Sequence, residues 1–117
     1  MIIDAIYNEN CLDGLRALPD SVVDMALTSP PYDSLRQYNG TSVWSMDLFR
    51  ELAPELYRVT KPGGVVVWVV GDATIKGSET GSSFRQALYF MECGFFMHDT
   101  QIYAKTSFAY PEVTRYY

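Results

Sequence analysis

Ser29, Pro30, Pro31 and Tyr32 follow one another where an apolar run, Val22-Val23-Asp24-Met25-Ala26-Leu27, gives way to Thr28. Proline fixes φ and donates no backbone N–H, so the Ser29 and Pro30 carbonyls sit where a sheet ladder cannot easily use them. With the Ser29 hydroxyl beside them and the Tyr32 ring one step on, the tetrapeptide offers acceptors for an –NH₂ group and a flat surface for the ring that carries it. A nucleobase amine has that shape. An aromatic amine is a poor nucleophile because its lone pair is delocalised. The Ser29 hydroxyl oxygen and the Pro30 carbonyl could bind its two hydrogens, pyramidalise the nitrogen and stabilise the positive charge growing on it. Activating an amine in this way needs no covalent enzyme intermediate, so Cys11 and Cys93 need not be nucleophiles. On its own, such a string is also what a polyproline turn looks like, and the surrounding chain decides its weight.

The elements around it read as alternating strands and helices. Residues 2–7 are short and β-branched and suggest a first strand ending at Asn8-Glu9-Asn10. Leu12, Leu15 and Leu18 recur at helical spacing until Pro19-Asp20, and residues 21–28 read as a strand buried on both faces. Residues 33–41 carry no period and form a loop. Ser45 suits the N-cap of a helix with a stripe of Leu48, Leu52, Leu56 and Val59, widened by Phe49 and Ala53. Pro54 inside that stretch predicts a kink or a later start. Lys61-Pro62-Gly63-Gly64 should stop the helix, and residues 65–70 form a continuous apolar strand ended by Gly71-Asp72. Residues 73–81 read as loop, with Asp72 in a capping or turn position. Ser82 or Ser83 then caps a helix through Phe84, Ala87, Leu88 and Met91, closed by Gly94, and residues 95–105 read as another strand. The expected fold is α/β: a Rossmann-like, mostly parallel sheet with flanking helices, which binds ligands at the carboxyl ends of its strands. Ser29 and Asn10 both lie at such ends.

Composition narrows the class. A chain of 117 residues is one domain, 1–117, able to bury roughly two-thirds of its unfolded surface. It is 48% hydrophobic and 20% charged, which argues against disorder, and no apolar run approaches the roughly 20 residues that span a bilayer. With no secretory signal pattern, the cytoplasm is the expected compartment. Two cysteines and His98 have no standard metal-ligand spacing, so no metal is expected. A net charge of −5 counts against this chain being a phosphate-binding surface by itself, so most phosphate contacts to any nucleic acid would lie elsewhere.

The tetrapeptide resembles the (Asp/Asn/Ser)-Pro-Pro-(Tyr/Phe) motif of the DNA methyltransferases that modify exocyclic amines, N6 of adenine or N4 of cytosine. The likeness extends to Tyr7-Asn8-Glu9-Asn10-Cys11-Leu12-Asp13-Gly14-Leu15, to Leu18-Pro19-Asp20 before Val23-Asp24, and to Arg58-Val59-Thr60-Lys61-Pro62-Gly63-Gly64 before a strand. These stretches resemble the permuted branch of the family, whose catalytic half comes first and whose cofactor half carries an Asp-Pro-Phe-x-Gly-Ser-Gly loop nearer the C-terminus. The sequence holds no such loop and is read as the N-terminal catalytic-loop part, with the target-recognition and main cofactor regions absent.

The resemblance implies S-adenosylmethionine as methyl donor and, in the full-length protein, DNA with the target base flipped out, in the setting of restriction-modification. It makes Ser29, Pro30 and Tyr32 the catalytic residues, places Pro31 and Tyr32 against the base, and puts Asn10, Cys11 and Thr28 on the cofactor side. Asn10 stands where the family usually has an acidic residue; turn chemistry alone favours a turn residue there, and the resemblance brings the cofactor reading level with it. Serine at position 29 leans towards cytosine. Two other readings stand beside this one: a non-enzymatic Rossmann-like remnant or assembly module, and a methyltransferase for RNA or protein glutamine. The aromatic tail with Tyr110, Tyr116 and Tyr117 suits packing against further chain or a second copy in a homo-oligomer.

Overall fold

In the computed structural model, residues 3–31 and 44–104 are described, and Tyr32, the expected loop at 33–41 and the tail tyrosines fall outside them. The elements run α1 (Cys11–Ala17), β1 (Val23–Thr28), α2 (Met46–Val59), β2 (Thr60–Trp68), β3 (Thr74–Ile75), β4 (Ser78–Glu79) and α3 (Ser82–Cys93). β1 and β2 pair in parallel, with Met25 opposite Val65 and Thr28 opposite Trp68, and α2 is the crossover between them. The larger sheet expected from the sequence is represented among the described residues by this parallel pair and a separate β3–β4 hairpin.

Packing explains the middle of the chain. α2 buries Phe49, Leu52, Ala53, Leu56 and Val59, a stripe at helical spacing. That face meets Ala26 of β1, Val66 and Trp68 of β2, and Phe90 of α3. Phe49 is the hub, with ring centroids 5.6 Å from Trp68, 5.0 Å from Phe90 and 5.7 Å from Tyr89. Ser45 caps α2 as expected, its hydroxyl accepting from the Leu48 amide at 3.1 Å. α1 is tied down by Arg58, whose guanidinium donates to the carbonyls of Leu15 at 2.9 Å and Leu18 at 2.8 Å. The same fork pairs with Asp20 and Glu55, and these two carboxylates hold its pKa above the ordinary arginine value.

The helix runs from Met46 to Val59 through Pro54, so it does not start later than the proline as one expectation had it. A proline at this position cannot donate to the carbonyl four residues back, that of Arg50. The Tyr89 hydroxyl of α3 donates to that carbonyl instead, across a long 3.3 Å.

Other differences follow from pairing and from partners. Residues 3–7 form no strand, and Ile3, Ile6 and Tyr7 are exposed. The same holds for residues 95–104, expected as a strand and observed without one. Strand β2 begins directly at Thr60, so residues 61–64 are not a separate stop but an irregularity in the ladder between Val23/Thr60 and Met25/Val65. Gly64 is required there: a Cβ would lie 3.0 Å from the Asp24 carbonyl oxygen of the neighbouring strand and 2.9 Å from that of Lys61. The expected loop at 73–81 contains the β3–β4 hairpin, turned by Lys76 and Gly77, both at positive φ.

On α3 the buried face is not the expected one. Phe84, Leu88 and Met91 are exposed, and Gln86 and Phe90 are buried. The aromatic hub selects Phe90, and the Trp68 indole N–H finds its acceptor in Gln86 Oε1 at 3.0 Å, so a polar residue occupies the core face. Strand β1, expected to be buried on both faces, is covered on one.

Tyr89→Phe should lower stability by less than about 1 kcal/mol in the natural chain, because it removes a long, exposed hydrogen bond. In a Pro54→Ala background, where residue 54 has its own N–H for the Arg50 carbonyl, the same change should cost less still. A denaturant double-mutant cycle showing no coupling would remove this account of how the helix tolerates its proline.

Candidate active site

Parallel pairing brings the carboxyl ends of β1 and β2 to one edge of the sheet. The ladder continues past the strand ends, with the Val69 amide donating to the Thr28 carbonyl at 3.0 Å. Thr28 thus has its backbone oxygen committed to the sheet. Ser29 follows, exposed, then Pro30, buried, and Pro31, half-buried. The buried ring of Pro30 anchors the start of the loop on the protein while Ser29 stays at the surface.

The same edge is organised by Asp72, four residues beyond the end of β2. Its carboxylate accepts from the Ser83 amide at 2.8 Å and from the Ser83 hydroxyl at 3.0 Å. The N-cap residue of α3 is Gly81, which makes no side-chain cap, so the acid supplied by the strand end takes that place. Ser82 and Ser83 were expected as caps; Ser83 is instead the group being capped. Between Asp72 and α3 the β3–β4 hairpin stands out from this edge with Lys76 exposed at its tip. A Lys-Gly pair flanked by Thr-Ile and Ser-Glu is the one sequence signal that could have revealed it.

Asn10 and Cys11 come from a different element. Asn10 is the N-cap of α1, its Oδ1 accepting from the Leu12 amide at 2.9 Å, and Cys11 is the exposed first residue of that helix. The turn reading of Asn10 describes its hydrogen bond. Cys93 is half-buried beside Phe90 and Phe95, and burial pushes its thiol pKa up. Both sulfurs are free cysteines. Among the described residues no group of three or more His, Cys, Asp or Glu side chains could hold a metal ion, and no helix is long and apolar enough to cross a membrane.

Residues 23–117, which begin at the first residue of β1 and include the Ser29–Tyr32 motif, match the DNA methylase family of N6/N4 type. The chain belongs to that family. Orphan methyltransferase M.BamHII of Bacillus amyloliquefaciens is 65% identical over 98 residues, which are 84% of this chain and 36% of the relative. Type II methyltransferase M.BglII of Bacillus subtilis is 34% identical over 71 residues, 59% of the chain and 20% of the relative. Ribosomal RNA large subunit methyltransferase G of Streptomyces coelicolor is 38% identical over 60 residues, 51% of the chain and 14% of the relative. The methylase chain therefore spans little more than a third of the length of M.BamHII, and less of the other two. No solved structure matches it.

Asp72→Ala should destabilise this methylase chain by about 1 kcal/mol through loss of the α3 cap, read as a lower urea midpoint at unchanged slope. Asp72→Asn, which keeps an acceptor for the Ser83 amide, should recover most of the loss. Equal midpoints for all three proteins would show that the carboxylate does not hold the helix end.

Proposed function

We propose that this chain is the catalytic-loop part of an enzyme that transfers a methyl group from S-adenosylmethionine to an exocyclic amine in DNA, N4 of cytosine or N6 of adenine. The observation that carries the reading is the placement of Ser29-Pro30-Pro31 at the carboxyl edge of a parallel strand pair, inside the span that matches the family. The Ser29 hydroxyl oxygen and the Pro30 carbonyl accept the two amine hydrogens, and the amine lone pair is thereby directed outward. Tyr32 and Pro31 stack on the flipped base, and serine at 29 tilts the preference towards cytosine.

S-adenosylmethionine supplies an electrophilic sulfonium methyl when bound. The chain's residues fit it in part only. Asn10 and Cys11 at the start of α1 could meet its adenine, but the Asn10 Oδ1 already accepts from Leu12, which leaves the Nδ2 amide for a ligand. Thr28 contributes a position next to the motif, its own carbonyl being held by Val69. Among the described residues Gly81 joins the short strand β4 to α3, but the Asp72 carboxylate already occupies that helix end; this reading therefore assigns the main cofactor contacts to polypeptide outside the described residues and expects the span alone to be inactive.

A second reading, an amine of an RNA base, is favoured by the likeness to the Streptomyces protein, whose name states that it acts on ribosomal RNA. The loop chemistry is the same in both. The decisive material is a chimera, M.BamHII with its matched span replaced by that of this chain. Incubated with labelled S-adenosylmethionine, it should label DNA, and nucleoside mass spectrometry should show N4-methylcytosine or N6-methyladenine. Label entering ribosomal RNA alone would select the second reading. Ser29→Ala should slow transfer about 100-fold with cofactor affinity unchanged. Undiminished transfer would remove Ser29 from the mechanism.

A further inference from the structure

We propose that Lys76, at the tip of the β3–β4 hairpin, binds a backbone phosphate of the DNA strand that offers its base to Ser29-Pro30-Pro31. The inference rests on reading the chain as part of a DNA methylase, and it adds to that reading a contact outside the motif.

Charge sets Lys76 apart. Each other basic side chain among the described residues is engaged: Arg16 with Glu51, Arg50 with Asp47, Arg58 with Asp20 and Glu55, Lys61 with Asp24, and Arg85 with the Thr80 carbonyl. Lys76 is exposed and, among the described residues, has no ion-pair or hydrogen-bond partner. The nearby acids are placed elsewhere. Glu79 lies at the base of the hairpin, opposite Thr74, and the Asp72 carboxylate is taken by Ser83. On a chain of net charge −5, a free ammonium at the edge that carries the motif is the exception.

The hairpin is built to hold that charge outward. Ala73 is buried, and its carbonyl accepts from the Thr80 amide at 2.9 Å to close the base, while residues 75–79 are exposed. Asp72 ties the chain before β3 to the first turn of α3, and the Arg85 guanidinium ties the residue after β4 to the same helix. Both ends of the hairpin are thus anchored on one element. Its turn has positive φ at both central residues, 51° at Lys76 and 78° at Gly77. Such a first position favours asparagine, whose short polar side chain eases the left-handed region, and lysine has no such help. A cation stands there against the preference of its own backbone, which is where strain points to a function.

The place suits the substrate. The path to the hairpin starts at Val69, bonded to the Thr28 carbonyl, and the residues from there to Lys76 span less than about 25 Å even when fully extended. Phosphates follow one another along a DNA strand about every 3.4 Å of helix axis. The ammonium therefore meets the backbone within about seven nucleotides of a base held at Ser29.

The test uses the M.BamHII chimera and fluorescently labelled fragments of plasmid DNA. Lys76→Asn should weaken binding about 8-fold at 0.1 M salt, reduce the slope of log affinity against log salt by about 0.9, and match the parent near 1 M. Its melting temperature should not fall, because asparagine suits the turn. Lys76→Arg should restore the affinity. Lys61→Gln, at the amino end of β2, removes a charge that Asp24 already holds and should leave the slope unchanged. Equal slopes for Lys76→Asn and the parent would overturn the proposal. So would equal losses from both lysines, which would make net charge the cause and not the hairpin. A Lys76-dependent slope on ribosomal RNA with none on DNA would overturn it in favour of an RNA backbone. A chimera that shows the Lys76 effect on DNA but transfers no methyl group would keep this contact and overturn the proposed activity. Methyl transfer to DNA without the Lys76 effect would do the reverse.

Discussion

Parallel pairing of Val23–Thr28 with Thr60–Trp68 obliges the chain to travel back along the sheet between the two strands, and α2 is that return. The rest of the arrangement depends on it. Because the strands run the same way, their carboxyl ends share an edge, and Ser29-Pro30-Pro31 and the turn into Asp72 both emerge there. Because the crossover helix must bury a face against the strands it joins, Phe49, Leu52, Leu56 and Val59 are drawn onto Ala26, Val66 and Trp68. An antiparallel hairpin of the same two sequences would separate the motif from Asp72 by the length of the sheet.

The middle of this arrangement was legible in the sequence because each signal there is local. Ser45 caps within three residues, the α2 stripe repeats within one helix, and the Pro-Pro pair ends its own strand. Legibility failed where a residue's fate is set by something distant. The periodicity of α3 favours Phe84, Ala87, Leu88 and Met91, but Trp68, eighteen residues before Gln86, needs an acceptor, and Gln86 turns inward to provide it. Residues 3–7 and 95–104 have strand-like composition and form no strand, because local composition does not specify which edge, if any, a segment pairs with.

The site divides along the same line. The placement of Ser29, Pro30 and Pro31 follows from strand direction and proline chemistry, both of which can be read locally. The Asp72 carboxylate was legible as a cap or turn residue, but its target was not, because eleven residues and a hairpin separate it from Ser83. Asn10 illustrates a residue with two readings that are compatible: an amide has an acceptor oxygen for the helix it begins and a donor nitrogen for something else.

Pro54 leaves the Arg50 carbonyl without a donor from its own helix, and the Tyr89 hydroxyl of α3 answers it. The omission acts as an address. Sliding α3 by one turn, about 5.4 Å along its axis, would carry the Tyr89 phenol past that oxygen and strand it. A residue usually counted as a fault in a helix thus marks, in the chain itself, the point where Tyr89 of its neighbour arrives.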